Sequence, residues 1–146
     1  MKIVIGSDHR GFVLKGQLVE MFKELKIDYS DFGTYDEEST DYPKFAFKVG
    51  EAVSRGEFDY GVVICGSGAG VCISANKVKG IRCILVRSID EVKMAREHNN
   101  INVLGIGAEH TSAEEAFEMI ETLINTTFLE GRHRRRIELI EKYENK

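Results

Sequence analysis

The sequence predicts an α/β protein, a three-layer α/β/α sandwich built on a five-stranded parallel sheet with an extra helix at the C-terminus. Two observations support this prediction. Short apolar runs rich in β-branched residues alternate with segments in which apolar residues recur at helical spacing. Parallel strands also need a crossover helix between them, and such helices cover both faces of the sheet. No repeat or linker interrupts the 146 residues, so residues 1–146 are expected to form one domain.

Five short runs bounded by Gly or polar residues are predicted as strands. They comprise residues 3–5, 27–32, 60–65, 81–86 and 101–106. Three helices are predicted between the first four strands. The first of these helices has an apolar face formed by Leu14, Leu18, Met21, Phe22 and Leu25. The second follows a polar loop over residues 33–42, begins with Pro43 and reaches Val53, and the third covers about residues 69–77.

Two capping boxes mark the next two helices. In this motif a Ser side chain and the Glu side chain three residues later cap backbone N–H groups reciprocally. The two pairs are Ser88 with Glu91 and Ser112 with Glu115. The helices that they open are predicted to end near His98 and Ile124. A final amphipathic helix is predicted after Gly131, with apolar residues Ile137, Ile140 and Tyr143.

Composition and charge exclude several classes of protein. The chain has 20 Lys and Arg against 24 Asp and Glu, and this net charge of −4 argues against a nucleic-acid partner. Its three cysteines are odd in number and lack the spacing of a disulfide framework or a zinc knuckle. The apolar run at residues 3–5 is too short for a signal peptide or a membrane span. We therefore expect a cytoplasmic protein with no membrane partner.

The segment CGSGAG at residues 65–70 is the strongest local signal for a binding site. It follows the third strand and precedes a helix, and ligands of parallel α/β proteins bind beyond the carboxyl ends of strands. Its glycines expose backbone N–H groups that can surround an anion. The spacing is not that of a dinucleotide or triphosphate loop. The alternative interpretation is a tight strand-to-helix turn that requires small residues.

Cys65 is the candidate base within this segment. It ends a strand and faces the start of the next helix, where partial positive charge stabilises a thiolate that can accept a proton. The alternative is a core cysteine. Cys72 and Cys83 lie in an apolar helix and an apolar strand, and we assign both to the core.

Asp8, His9 and Arg10 follow the first strand and form a titratable cluster at the expected ligand edge. Alternatively, Asp8 caps the following helix and His9 is an exposed loop residue. His98 and Asn99 end a helix, where a histidine is electrostatically favourable without any catalytic role. The four histidines have no paired spacing, and no metal site is predicted.

A basic run, RHRRR at residues 132–136, opens the predicted last helix. Arg132 and Arg136 are four residues apart and share one helix face. Because cations in a first helical turn oppose the helix dipole, the pair favours a bound anion. One alternative is a nucleic-acid patch, which the net charge of −4 argues against. The other is a solvated charged face that pairs with Glu138 and Glu141.

Six motifs together resemble the type B ribose-5-phosphate isomerases over nearly the full length of the chain. They are SDHRG at 7–11, ESTDYP at 38–43, CGSGAG at 65–70, SANK at 74–77, HNN at 98–100 and GRHRRR at 131–136. The resemblance implies interconversion of ribose 5-phosphate and ribulose 5-phosphate through an enediolate. It implies no metal and no organic cofactor. It also implies a Rossmann-like sandwich that is at least a dimer.

The resemblance further implies a role for each candidate residue. Cys65 would be the base, and His98 with Asp8 nearby would open the furanose ring. The oxyanion would be stabilised by Ser67 and by the backbone N–H groups of Gly66, Ser67, Gly68, Ala69 and Gly70. The phosphate would be bound by His9, Arg132 and Arg136, and the sugar oxygens by Asn99. The pocket would cross a subunit interface, with His98 and Asn99 contributed by the neighbour.

Two positions relate the chain to variation within that family. Val71 stands where one branch has a glutamate base, so the resemblance implies the branch with a cysteine base. Glu109 stands where many members have a substrate-binding arginine. This difference leaves open the affinity for the substrate and the preference among sugar phosphates. Two other functions remain open: isomerisation of a six-carbon sugar phosphate such as allose or galactose 6-phosphate, and noncatalytic sugar-phosphate binding.

Overall fold

The computed structural model describes all 146 residues. Five parallel strands form one sheet in the order β2-β1-β3-β5-β4. The strands are β1 (Ile3–Ser7), β2 (Tyr29–Asp31), β3 (Tyr60–Cys65), β4 (Cys83–Leu85) and β5 (Val103–Gly107). The helices are α1 (Phe12–Glu24), α2 (Tyr42–Ser54), α3 (Ala69–Ala75), α4 (Ile89–Asn99), α5 (Ala113–Asn125) and α6 (Arg132–Glu144). The predicted α/β fold with a parallel sheet and a C-terminal helix is confirmed.

Two apolar cores lie on opposite faces of the sheet and produce the three layers. One core joins the sheet to α1, α4 and α5, and the other joins it to α2 and α3. Successive residues of a strand point to opposite faces, so Ile64 lies in the first core and Cys65 in the second. The sheet is therefore buried on both sides, as its apolar strands require.

The strand boundaries differ from the predicted ones in a regular way. β2 and β4 are shorter than predicted because both are edge strands, each paired with only one neighbour. β1 continues two residues beyond Ile5, since Gly6 and Ser7 also pair with β3. β5 begins at Val103 rather than at Ile101 and ends at Gly107. The limits of a strand depend on where the neighbouring strand ends, and the apolar pattern of its own residues does not show this.

Both capping boxes are present, and Pro43 lies in the first turn of α2, as predicted. α3 is shorter than predicted and ends at Ala75. Of the apolar residues predicted for the last helix only Ile137 is buried, whereas Ile140 and Tyr143 are 46% and 73% exposed. Part of the apolar face of α6 is thus uncovered in the single chain. None of the helices has the length and hydropathy that a bilayer crossing requires.

A buried ion pair joins α1 to β2. Nζ of Lys15 lies 2.7 Å from each carboxylate oxygen of Asp31, and the Lys15 side chain is 2% exposed. Asp31 also accepts the backbone N–H of Gly33 at 2.9 Å. The pair therefore fixes the end of β2 and the start of the loop that leads to α2.

Replacing Asp31 by Ala should lower the free energy of unfolding by about 3–5 kcal/mol, because the Lys15 ammonium would remain buried without its partner. Urea unfolding measures this change. The matched control is Glu20→Ala, which breaks an exposed pair with Lys23 and should cost no more than about 0.5 kcal/mol. Equal losses in the two variants would contradict the structural role of the buried pair.

Candidate active site

The carboxyl ends of the three central strands are tied together by backbone hydrogen bonds. The N–H of Asp8 donates to the carbonyl of Ile64 at 3.1 Å, which joins the segments after β1 and β3. The N–H of Glu109 donates to the carbonyl of Gly66 at 3.0 Å, which joins the segments after β3 and β5. Residues that are distant in sequence thus meet at one edge of the sheet, where ligands of such folds bind.

The glycine segment between β3 and α3 is folded so tightly that Gly68 cannot be replaced. Gly68 has a φ of +81°, and a Cβ on it would lie 2.8 Å from the backbone nitrogen of Gly107. The tight-turn interpretation is therefore correct for this residue. That turn also aims the N–H of Gly68 back at the end of β3.

The thiol of Cys65 receives this N–H. Sγ lies 3.1 Å from the backbone nitrogen of Gly68, and the residue is 5% exposed and is a buried member of the α2/α3 core, as the core alternative predicted. An N–H aimed at sulfur stabilises negative charge on that atom. Ser67 is exposed, and its Oγ accepts the N–H of Ala69 at 3.2 Å. The N–H groups of Gly68 and Ala69, two of the five predicted to stabilise an oxyanion, thus already donate hydrogen bonds within the chain.

The other two cysteines are arranged differently from Cys65. Cys83 lies in the core, as predicted, and a hydrogen bond with Cys72 together with burial raises its pKa. Cys72 is only half-buried, and its thiol lies 3.4 Å from the carbonyl oxygen of Cys83. The assignment of Cys72 to the core is therefore only partly right, because one side of α3 is open to solvent.

Asp8 and His9 both project at the end of β1. Oδ1 of Asp8 accepts the N–H groups of Arg10 and Gly11, so the predicted capping role is present. Oδ2 of Asp8 makes no hydrogen bond within the chain. Nδ1 of His9 accepts the N–H of Thr40 at 3.1 Å, which places the proton of the neutral ring on Nε2. Each side chain therefore keeps one polar atom for a ligand.

A cavity of about 750 Å³ lies beside this segment. It is lined by Asp8, His9, Arg10, Thr40, Asp41, Tyr42, Pro43, Lys44 and Phe47. Cys65 does not line it, but two of its residues cover the ends of the glycine segment. A Cβ on Gly66 would lie 2.6 Å from Nε of Arg10, and one on Gly70 would lie 2.6 Å from Cζ of Tyr42. The cavity and the glycine segment therefore share walls.

Sequence reasoning missed Thr40, Asp41, Tyr42 and Lys44 as cavity residues. Their position in the loop after the second strand could have indicated them. β2 is parallel to β1, so its carboxyl end lies beside that of β1, and the loop that follows β2 lines the cavity. Glu109, whose effect on the site was left open, forms an ion pair with Arg10.

The remaining candidate residues form a second cluster on α4 and α6. The rings of His98 and His133 stack with centroids 4.4 Å apart and an interplanar angle of 10°. Desolvation lowers the pKa of His133, and the positive charges of His98, Arg132 and Arg136 lower it further. The cluster of His98, His133, Arg132 and Arg136, called the basic cluster below, therefore brings four basic side chains together where α4 and α6 meet.

The basic cluster and the glycine segment do not share a cavity within one chain. His98 lines a cavity of about 350 Å³ on α4 with residues of that helix only. Asn99 lines another, of about 370 Å³, with Ile137 and Ile140 of α6. Neither cavity includes Asp8, His9 or Cys65. No group of three or more His, Cys, Asp or Glu side chains is placed to hold a metal ion.

Comparison with known proteins identifies relatives along nearly the entire chain. The ribose-5-phosphate isomerase B of Escherichia coli is 38% identical over 99% of this chain and 97% of that protein. The structure of ribose-5-phosphate isomerase B from Clostridium thermocellum superposes with a TM-score of 0.96 at 43% identity, covering 99% of this chain and 98% of that one. The Mycoplasma genitalium enzyme with bound ribulose-5-phosphate superposes with a TM-score of 0.92 at 39% identity, covering 99% and 97%.

The two solved structures share the fold of this chain. Residues 3–140 match the family described as Ribose/Galactose Isomerase, a span that includes both the glycine segment and the basic cluster. The chain belongs to the ribose/galactose isomerase family.

Proposed function

We propose that this chain is an aldose–ketose isomerase that interconverts ribose 5-phosphate and ribulose 5-phosphate. The observation that carries the proposal is the Cys65 thiol, which receives the N–H of Gly68 at the carboxyl end of β3. Relatives named ribose-5-phosphate isomerase B match almost the full chain, and one of them has bound ribulose-5-phosphate. These names favour the five-carbon substrate over a six-carbon one.

The reaction moves hydrogen between two adjacent carbons of the open-chain sugar. The Cys65 thiolate takes the proton from C2, and the C2–H electron pair forms the C1–C2 double bond while the carbonyl pair moves to O1. The proton on O2 then passes to O1, the C2 carbonyl forms, and the electron pair of the C1–C2 double bond takes the proton back from the thiol at C1. No external oxidant or reductant is required, because one carbon is oxidised as its neighbour is reduced.

The negative charge that develops on oxygen needs donors beside the base. We assign this role to Ser67 and to those backbone N–H groups of residues 66–70 that make no hydrogen bond within the chain. They lie beside the hydrogen bond from the Gly68 N–H to the Cys65 sulfur. Ser67 is exposed and lies next to this hydrogen bond, so its hydroxyl can donate to the oxygen on which negative charge develops.

The other roles divide between the cavity and the basic cluster. We assign the phosphate to Nε2 of His9 with Arg132 and Arg136, and the sugar oxygens to Asn99. We assign ring opening to His98 together with Asp8. Because no cavity within one chain joins these residues, we propose that a second copy of the chain supplies His98, Asn99 and the two arginines. The uncovered apolar residues of α6 support such an interface.

Replacing Cys65 by Ala should lower kcat by about 10²–10⁴-fold, the contribution of a positioned general base. Binding of ribose 5-phosphate should survive, because the thiol acts on the reacting carbon rather than on the phosphate. Steady-state kinetics and calorimetric binding measure the two quantities. Cys72→Ala is the matched control and should retain turnover. Substantial turnover by Cys65→Ala would end the assignment of the base.

Incubation of ribose 5-phosphate with the protein in deuterated water should introduce deuterium at C2 of the recovered sugar. The label enters because the proton held by the base exchanges with solvent before it returns. Nuclear magnetic resonance detects both the label and the ketose. Binding without label and without ketose would instead show a noncatalytic sugar-phosphate-binding module.

Replacing Arg132 or Arg136 by Ala should weaken apparent substrate binding by about 1.5–3 kcal/mol, the range of a charged hydrogen bond. The KM for ribose 5-phosphate measures this loss. Arg134→Ala is a control on the same helix, because Arg134 is paired with Glu130 and has no assigned role. An unchanged KM in both variants would contradict the phosphate assignment.

A further inference from the structure

Arg10 and Glu109 form an ion pair that crosses the start of the glycine segment. Arg10 follows β1, Glu109 follows β5, and Gly66 lies between them at the end of β3. The N–H of Glu109 donates to the carbonyl of Gly66, which fixes the backbone from which the carboxylate projects. The guanidinium lies over Gly66, where a Cβ would approach Nε and Nη1 to 2.6 and 2.7 Å. The space that a side chain would fill at residue 66 is thus occupied by Arg10.

Stability alone does not account for this arrangement. Both side chains are about half exposed, and exposed ion pairs contribute little to the free energy of folding. The pair nevertheless holds the Arg10 guanidinium in one place on the wall of the cavity that Asp8 and His9 line. There the guanidinium lies over Gly66, the residue that follows Cys65.

The guanidinium also has donors to spare. Its Nη2 faces Glu109, and the chain offers Nε and Nη1 no hydrogen-bond acceptor. A guanidinium presents its N–H groups as a rigid planar fork that suits two neighbouring oxygens. The reacting end of an open-chain sugar phosphate has such a pair, the oxygens on C1 and C2.

We propose that Arg10 is a substrate-binding residue for the oxygens of the reacting carbons, and that Glu109 is the positioning residue that holds it over Gly66. The proposal rests on the proposed isomerase function and deepens it. It assigns to Arg10 the sugar end of the substrate, whereas the phosphate is assigned to His9 and the basic cluster. Glu109 acts only through Arg10.

The first test separates the sugar end from the phosphate end. Arg10→Ala should lower kcat/KM for ribose 5-phosphate by about 10- to 100-fold, the loss expected for a charged hydrogen bond. The inhibition constant of inorganic phosphate should remain unchanged, because that ion occupies only the phosphate site. A rise in the inhibition constant of phosphate as large as the fall in kcat/KM would overturn the assignment to the sugar end.

The second test asks whether Glu109 acts through Arg10. Glu109→Ala should lower kcat/KM less than Arg10→Ala, and the double variant should match Arg10→Ala alone. Glu109→Gln keeps an acceptor for the guanidinium and should recover part of the loss. Additive losses in the double variant would overturn the positioning role.

The control is Arg55→Ala, which breaks an equally exposed pair with Glu57 at the far end of α2 and should leave kcat/KM unchanged. Wild-type kinetics in Arg10→Ala would overturn this inference and leave the isomerase proposal intact. High turnover in Cys65→Ala would instead overturn the isomerase proposal, so the two failures are distinguishable.

Discussion

The parallel pairing of β1, β3 and β5 is the constraint on which the site depends. Because these strands run side by side in one direction, the segments that follow them meet at a single edge of the sheet. Hydrogen bonds from Asp8 to Ile64 and from Glu109 to Gly66 then lock the segments to each other. The left-handed turn at Gly68 packs against this frame, and its N–H donates to the sulfur of Cys65.

The same frame explains why one chain has only part of the proposed machinery. Strand ends can bring together residues that follow strands, but His98 ends α4 and the arginines begin α6. Those two helices meet each other, which yields a concentrated positive charge away from the glycine segment. We therefore propose that the basic cluster of one chain completes the site at the glycine segment of another, because a two-fold pair of chains would form two such sites.

Much of the fold was predictable from the sequence, because apolar periodicity, the two capping boxes and Pro43 each have a local physical cause. The limits of β2 and β4 were not predictable, since they depend on having one neighbour rather than two. In the site, the glycine segment and the residues after β1 could be predicted, because ligands of parallel α/β proteins bind beyond the carboxyl ends of the strands. The pairing of Arg10 with Glu109 was not predictable, because the two residues lie 99 positions apart in the sequence and only the sheet order brings them together.

The most direct measurement of the central claim is complementation between two inactive chains. Cys65→Ala and His98→Ala chains, unfolded and refolded together, should regain about a quarter of the wild-type sites, because half of the randomly formed dimers would contain one intact site of two. Each variant refolded alone should stay inactive. Failure of the mixture to regain turnover, with mixed dimers shown to be present, would contradict a site in which one chain supplies the thiol and its partner the histidine.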